Sequence, residues 1–306
     1  MQAFPLRLLV AMLGVVVLAG AGVEGYGYYN ETRDRVFAQL DQQMREVAQA
    51  PLFRDEQARA HLKYLVETFE ANQEFEDDPE KVEAVYGPDG KAATDDDGYV
   101  PALPESLSAK LMAGREFQYL IDRLREIRPG PGGLEQRYYR EEARERGEIK
   151  PGELELEYIY VLARVGSQPV EKFLSYLVDL DYLPVDENGD GEFDAYNDYE
   201  GNPIGNITLP ITDEMHLGFS GAAIAEQELS EDMWGDVVVS AFIPILDSDG
   251  SVLAVLGLDY NARSAAKQIA EARNMVIIGM VGLTLVVIAL CVLVTAFAAR
   301  KSSRSV

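Results

Sequence analysis

Apolar and polar positions follow three different patterns along the chain. Near the N-terminus an apolar run extends from Leu8 to Val23, and near the C-terminus Met275 to Ala299 runs 25 residues without a charge. A bilayer core takes about 20 apolar residues in a helix, so the second run is long enough to span one with some tilt. Arg300, Lys301 and Arg304 follow it, and basic residues beside a spanning segment favour the cytoplasmic face. Arg7 precedes the first run, and Tyr26, Tyr28 and Tyr29 follow at interfacial aromatic positions. That run reads as another membrane helix with its N-terminus inside, against the rival reading of a cleaved signal peptide at Ala19-Gly20-Ala21. The expected layout is a cytoplasmic N-terminus (1–7), a membrane helix (8–24), an extracytoplasmic domain (25–274), a second membrane helix (275–299) and a cytoplasmic tail (300–306).

Between the two runs the period changes. In the first half Val36, Leu40, Met44 and Val47 recur at four-and-three spacing, which lines one helix face. A stalk helix from Asn30 to about Glu76 is expected, continuing the first anchor and packing on its own domain or on a second copy in a homodimer. Leu111 to Ile127 repeats the helical pattern through Phe117, Leu120, Ile121 and Leu124, and the Pro and Gly residues of 129–133 end it. Glu135 to Glu148 reads as an exposed, charged helix. From Leu154 the period becomes two: Leu154, Leu156, Tyr158, Tyr160 and Leu162 alternate with other residues, as in a strand. Phe173 to Leu180 is a second strand. Asp236 to Leu246 and Ser251 to Tyr260 form a pair joined by Asp247-Ser248-Asp249-Gly250, which has hairpin turn chemistry. Asn261 is placed to cap a helix that meets no breaker before Met275. The fold class is therefore α+β: an antiparallel sheet with a long N-terminal helix, flanked by two membrane helices, its core at about 150–273.

Charge narrows the range of partners. All 52 acidic residues lie between Glu24 and Arg273, with 23 of the 27 basic ones, leaving −29 on that region. Nucleic acid and anionic surfaces are repelled by such a field. Cys291, the only cysteine, falls in the second apolar run, so the exported domain holds no disulfide and depends on packing or metal.

Four local patterns carry a resemblance. They are Glu157-Tyr158-Ile159-Tyr160-Val161; Leu177-Val178-Asp179-Leu180-Asp181; Asp232-Met233-Trp234-Gly235 leading to Ser240-Ala241-Phe242-Ile243-Pro244-Ile245; and Asp249 to Asp259 with Gly257 before the final Asp. In this order and spacing they resemble the Cache class of PAS-like extracytoplasmic sensor domains, in single-domain form, over roughly Leu154 to Arg273. The resemblance implies a small-molecule ligand and a pocket that Asp259 faces. Candidate ligand contacts are Tyr158, Tyr160, Asp181, Trp234 and Asp259, with Gly257 leaving room beside Asp259 for the ligand; the alternative for Asp259 is support of the turn at Asn261. The stretch from Phe75 to Pro104 has no counterpart in the pattern. No kinase, cyclase or chemotaxis module follows Ala299, so the expectation is either that the output domain is missing from this chain or that signalling passes to a separate protein.

A second set of residues points to metal. Asp186, Asn188, Asp190, Glu192 and Asp194, with Gly191 at the sixth place, follow the spacing of a calcium loop, in which alternate oxygens converge on one ion and position seven offers its carbonyl. Asn197 stands where the bidentate Glu belongs. The alternatives are a structural Ca2+ site and a polar turn needing no ion; Asp95-Asp96-Asp97 is most simply a solvated loop. His61 and His216 are far apart, and no phosphate loop or nucleophile elbow is present, so no enzyme is expected. The rival to a sensor is a structural or assembly protein whose acidic domain binds a protein partner or calcium.

Overall fold

The computed structural model describes residues 3–73, 102–127, 155–165, 173–180, 183–184, 199–200, 202–208, 211–231 and 237–302. They divide into two units, one of Met1–Ala38 with Ser264–Val306 and one of Gln39–Arg263.

The first unit consists of parts of two long helices, α1 (Ala3–Val47) and α7 (Arg263–Ser302). They run antiparallel and touch where α1 is smallest. A Cβ at Gly14 would meet Val287 Cγ1 at 2.5 Å, one at Gly25 would meet Val276 Cγ1 at 2.7 Å, and one at Gly22 would lie 3.6 Å from Met280 Cε. Missing side chains let two helix backbones approach closely. Along the two apolar runs many side chains point outward: Val16, Val23, Ile278, Leu285 and Phe297 are each more than half exposed. The segment Arg263–Phe297 is, among the described residues, the one helix long and apolar enough to cross a membrane. Within its apolar part, Met275–Phe297, both hydroxyls are satisfied inside the helix, Thr284 donating to Met280 O and Thr295 to Cys291 O, each at 2.7 Å.

The second unit is α+β. The expected stalk is not one helix: after α1 the chain turns at Ala48–Ala50, passes a four-residue α2 (Pro51–Arg54) and starts α3 (Glu56–Asn72) afresh. Pro51 opens a helix, where its missing N–H costs nothing, and Asp55 caps the next by accepting from the Gln57 and Ala58 N–H groups. The expected helix over Leu111–Ile127 is likewise divided, at Ala113-Gly114, into α4 (Glu105–Met112) and α5 (Arg115–Ile127). The heptad-like residues are buried as their period requires: Leu40, Met44, Phe117, Leu120, Ile121 and Leu124.

Among the described residues seven strands form one antiparallel sheet: β1 (Glu155–Arg164), β2 (Leu174–Asp179), β5 (Ile207–Thr208), β6 (Ile224–Ala225), β7 (Ser230–Glu231), β8 (Val237–Leu246) and β9 (Val252–Asn261). Their order is β5-β2-β1-β9-β8-β6, with β7 also on β8; β3 (Leu183–Pro184) and β4 (Tyr199–Glu200) pair apart. The hairpin read from Asp247–Gly250 is present, with Gly250 at φ 84° as such a turn requires. A short helix, α6 (Asp213–Phe219), capped by Thr212, lies on one face of the sheet. α3 and α5 pack together and contact β9 and β2, and Lys63 of α3 ties the hairpin tip by a 2.5 Å ion pair with Asp247.

One strand differs from its sequence pattern. Leu156 pairs with Tyr260 and Tyr158 with Asp259, so Glu157 is an extra residue, a β-bulge. A bulge shifts the alternation by one. Leu156 therefore lies on the face of Tyr260, opposite the one that Tyr158, Tyr160 and Leu162 share.

Candidate functional site

Strand pairing arranges the α6 side of the sheet into rows. Tyr158 pairs with Asp259, and Asp259 with Ser240 on β8. Glu226, just past β6, closes this row: its N–H donates to Ser240 O and its Oε2 accepts the Ser240 N–H, both at 2.9 Å. The next row runs Asp179, Tyr160, Gly257, Phe242, Ile224, and the one beyond it Tyr176, Leu162, Val255, Pro244.

The rows differ in cover. Met215 and Phe219 of α6 close over Tyr160, Leu162, Leu174, Phe242 and Val255 in one buried cluster. Gly218 allows that approach, since a Cβ there would lie 3.1 Å from Val255 Cγ1 and 3.3 Å from Phe242 Cβ. Arg164 fixes the end of the helix, donating to Phe219 O at 3.1 Å with its guanidinium 5.3 Å from the Phe219 ring. The first row stays half-buried at Tyr158, Asp259 and Glu226.

Of the five expected ligand contacts, three meet here. Tyr158 and Tyr160 stand beside Asp259, and the Tyr160 hydroxyl donates to Asp259 Oδ1 at 3.1 Å. The space left by Gly257 is not open, however: a Cβ at 257 would collide with the Tyr160 ring. The glycine makes room for a tyrosine of the neighbouring strand, which corrects the expectation of ligand space there. The turn into α7 is held by Asn261 itself, whose Oδ1 accepts the Arg263 N–H at 3.1 Å. Asp181 and Trp234 lie outside the described residues, as does the calcium-type loop with Asp186, Asn188, Asp190, Glu192 and Asp194. Among the described residues no three His, Cys, Asp or Glu side chains are grouped to hold a metal.

The local electrostatics follow from burial and like charge. Burial pushes the Glu226 carboxyl up to about 7, and the negative charges of Asp259 and Glu214 add to it, against the lowering by the Ser240 N–H. Burial also pushes the Tyr160 phenol well above its usual range, helped by Asp259 and Tyr176, so its hydroxyl is a permanent donor to Asp259. Tyr176 meets Tyr160 edge to face at 5.3 Å. The row thus offers two carboxyls beside aromatic surfaces, a setting that favours a cationic group through charge and ring faces.

Sequence reading missed Glu226, Ser240 and Tyr176. Glu226 follows a two-residue edge strand with no period to betray it, and Tyr176 stood out only as one residue of the expected second strand. Asp179, the middle residue of the Leu177–Asp181 motif, is engaged within the fold: its Oδ2 accepts the Asn202 N–H at 2.8 Å and Asn202 Nδ2 at 3.0 Å. No family model, curated protein or solved structure matches this chain.

Proposed function

We propose that this chain is a two-pass membrane sensor whose Cache-like, extracytoplasmic domain binds a small molecule bearing an amine. The observation that carries the reading is the row Tyr158, Asp259, Ser240, Glu226, left polar and half-buried beside a face otherwise sealed by α6. An ammonium group set over this row gains the charge of Asp259 and the ring face of Tyr158.

Membrane insertion is supported by the outward apolar side chains of α1 and α7 and by the basic residues after Ala299. β9, which carries Asp259, leads through Asn261 and Ala262 into α7. A ligand that binds one arrangement of the sheet better than another shifts the population, and α7 is the route by which the shift reaches the bilayer, then a separate signalling protein. No step of this function requires catalysis.

Thermal-shift screening of the purified protein against amines, amino acids and carboxylates tests the reading. An amine-bearing compound should raise the melting temperature, and Asp259→Ala should remove the effect. If no compound of any of these classes stabilises the protein, the proposal fails.

A further inference from the structure

The bulge in β1 places a carboxylate where a strand residue would not go. Glu157 is 6 % exposed, deep for an acid. Its Oε2 accepts from Asn261 Nδ2 at 2.9 Å. Asn261, itself 6 % exposed, sits in the central strand between Glu155 and Val238, and its Oδ1 takes the Arg263 N–H, the first of α7. Ala262 is fixed alongside, its N–H donating to Val237 O at 2.7 Å. The first residues of the membrane-directed helix are therefore held by one side-chain relay: Glu157, Asn261, Arg263 N–H. A carboxylate near a helix start is favoured by the helix dipole as well.

The other neighbour of Glu157 is Tyr158, the end of the proposed ligand row. The bulge is thus the one backbone feature of β1 with the polar row on one side and the helix start on the other. A bulge leaves its extra residue out of the ladder and bends the strand locally.

We infer that Glu157 is a positioning residue, a latch that holds the first turn of α7 ordered through Asn261 and connects the bulge of β1 to that turn. The latch gives the sensor reading its transmission step and rests on that reading for its purpose, but its existence is testable without any ligand. Removing the Glu157 acceptor frees the Asn261 amide to turn, and the Arg263 N–H loses its fixed partner. Glutamine keeps an acceptor oxygen at the same reach and should keep the latch; alanine should not.

The experiment is hydrogen–deuterium exchange on the full-length protein in detergent micelles. Glu157→Ala and Asn261→Ala should each speed exchange of the amides from Arg263 to Lys267 by about tenfold, the usual scale of a lost helix cap. Amides inside β8 and β9, such as Ile243 and Leu256, should keep wild-type protection, and Glu157→Gln should remain within about twofold of wild type. The Glu157→Ala/Asn261→Ala double variant should exchange no faster than either single one, since both break the same relay. Unchanged exchange at 263–267 in both alanine variants would overturn the latch, as would a uniform rise across β8, β9 and α7. Where Glu157→Ala fails to fold, Asn261→Ala and Glu157→Gln still decide it: fast exchange in Glu157→Gln as well as in Asn261→Ala would show that the charge of a core carboxylate, not a latch, is at work. None of these results depends on an amine being found, so failure of the latch and failure of the sensor reading are separable.

Discussion

Val255 and Asp259 lie four residues apart on the same strand and the same face, yet their surroundings are opposite. Val255 is fully buried under Gly218, Phe219 and Met215 of α6, against Phe242 and Leu162. Asp259 stays half-buried, with a tyrosine hydroxyl on its Oδ1 and a second carboxyl, Glu226, near enough to feel its charge. The difference is set by where α6 ends and by which rows are polar. A helix of seven residues covers only part of a sheet built on ten-residue strands. The rows beneath it are apolar and tight, while the row beyond it is polar and half-buried.

Substitutions on the two halves should therefore differ in kind. The largest effect is expected from Phe242→Ala, which empties a fully buried position and should cost about 4 kcal/mol in denaturant melts. Gly257→Ala comes next. Its methyl meets the Tyr160 ring, and overpacking of this kind costs about 2 kcal/mol. Paired with Tyr160→Ala it should cost less than alone, because the colliding ring is gone. If the two costs simply add, the contact is not the reason for the glycine.

Glu226 should reveal itself through pH. Its folded value, about 7, lies above the usual 4.5. A raised acid binds its proton more tightly in the folded state, so its contribution is fully present below about pH 4.5 and is lost as pH rises through 7. The stability of wild type relative to Glu226→Gln should thus fall by about 2 kcal/mol between pH 4.5 and 8, allowing for partial exposure. A flat difference across that window would mean that burial does not act on this carboxyl. Tyr160→Phe should have the smallest effect, about 1 kcal/mol for one hydrogen bond to Asp259.

Local chemistry explains how much of this was legible beforehand. The β8–β9 hairpin could be read because Asp-Gly turns and period-two runs are short-range signals, and Asn261 could be placed at a helix start for the same reason. The relation of Gly257 to Tyr160 could not, since it depends on strand pairing across 97 residues of chain. The bulge at Glu157 left the alternation of apolar residues in place while turning Leu156 to the other face, so the pattern looked regular where the structure is not. The stalk reads as continuous because its apolar period runs through Val47 among helix formers, whereas Pro51 and the fresh cap at Asp55 mark the break. Glu226 was invisible because a carboxylate in a short edge segment ordinarily means solvent.

The central claim is that the polar row accepts a cation. It is tested most directly by melting the full-length protein with matched pairs of ligands, short alkyl and aromatic primary amines against the alcohols of the same shape, in wild type and in Asp259→Ala. The account predicts that at least one amine stabilises wild type, that its alcohol does so markedly less, and that Asp259→Ala abolishes the difference. Equal shifts from amine and alcohol, or an amine shift that survives Asp259→Ala, would contradict it.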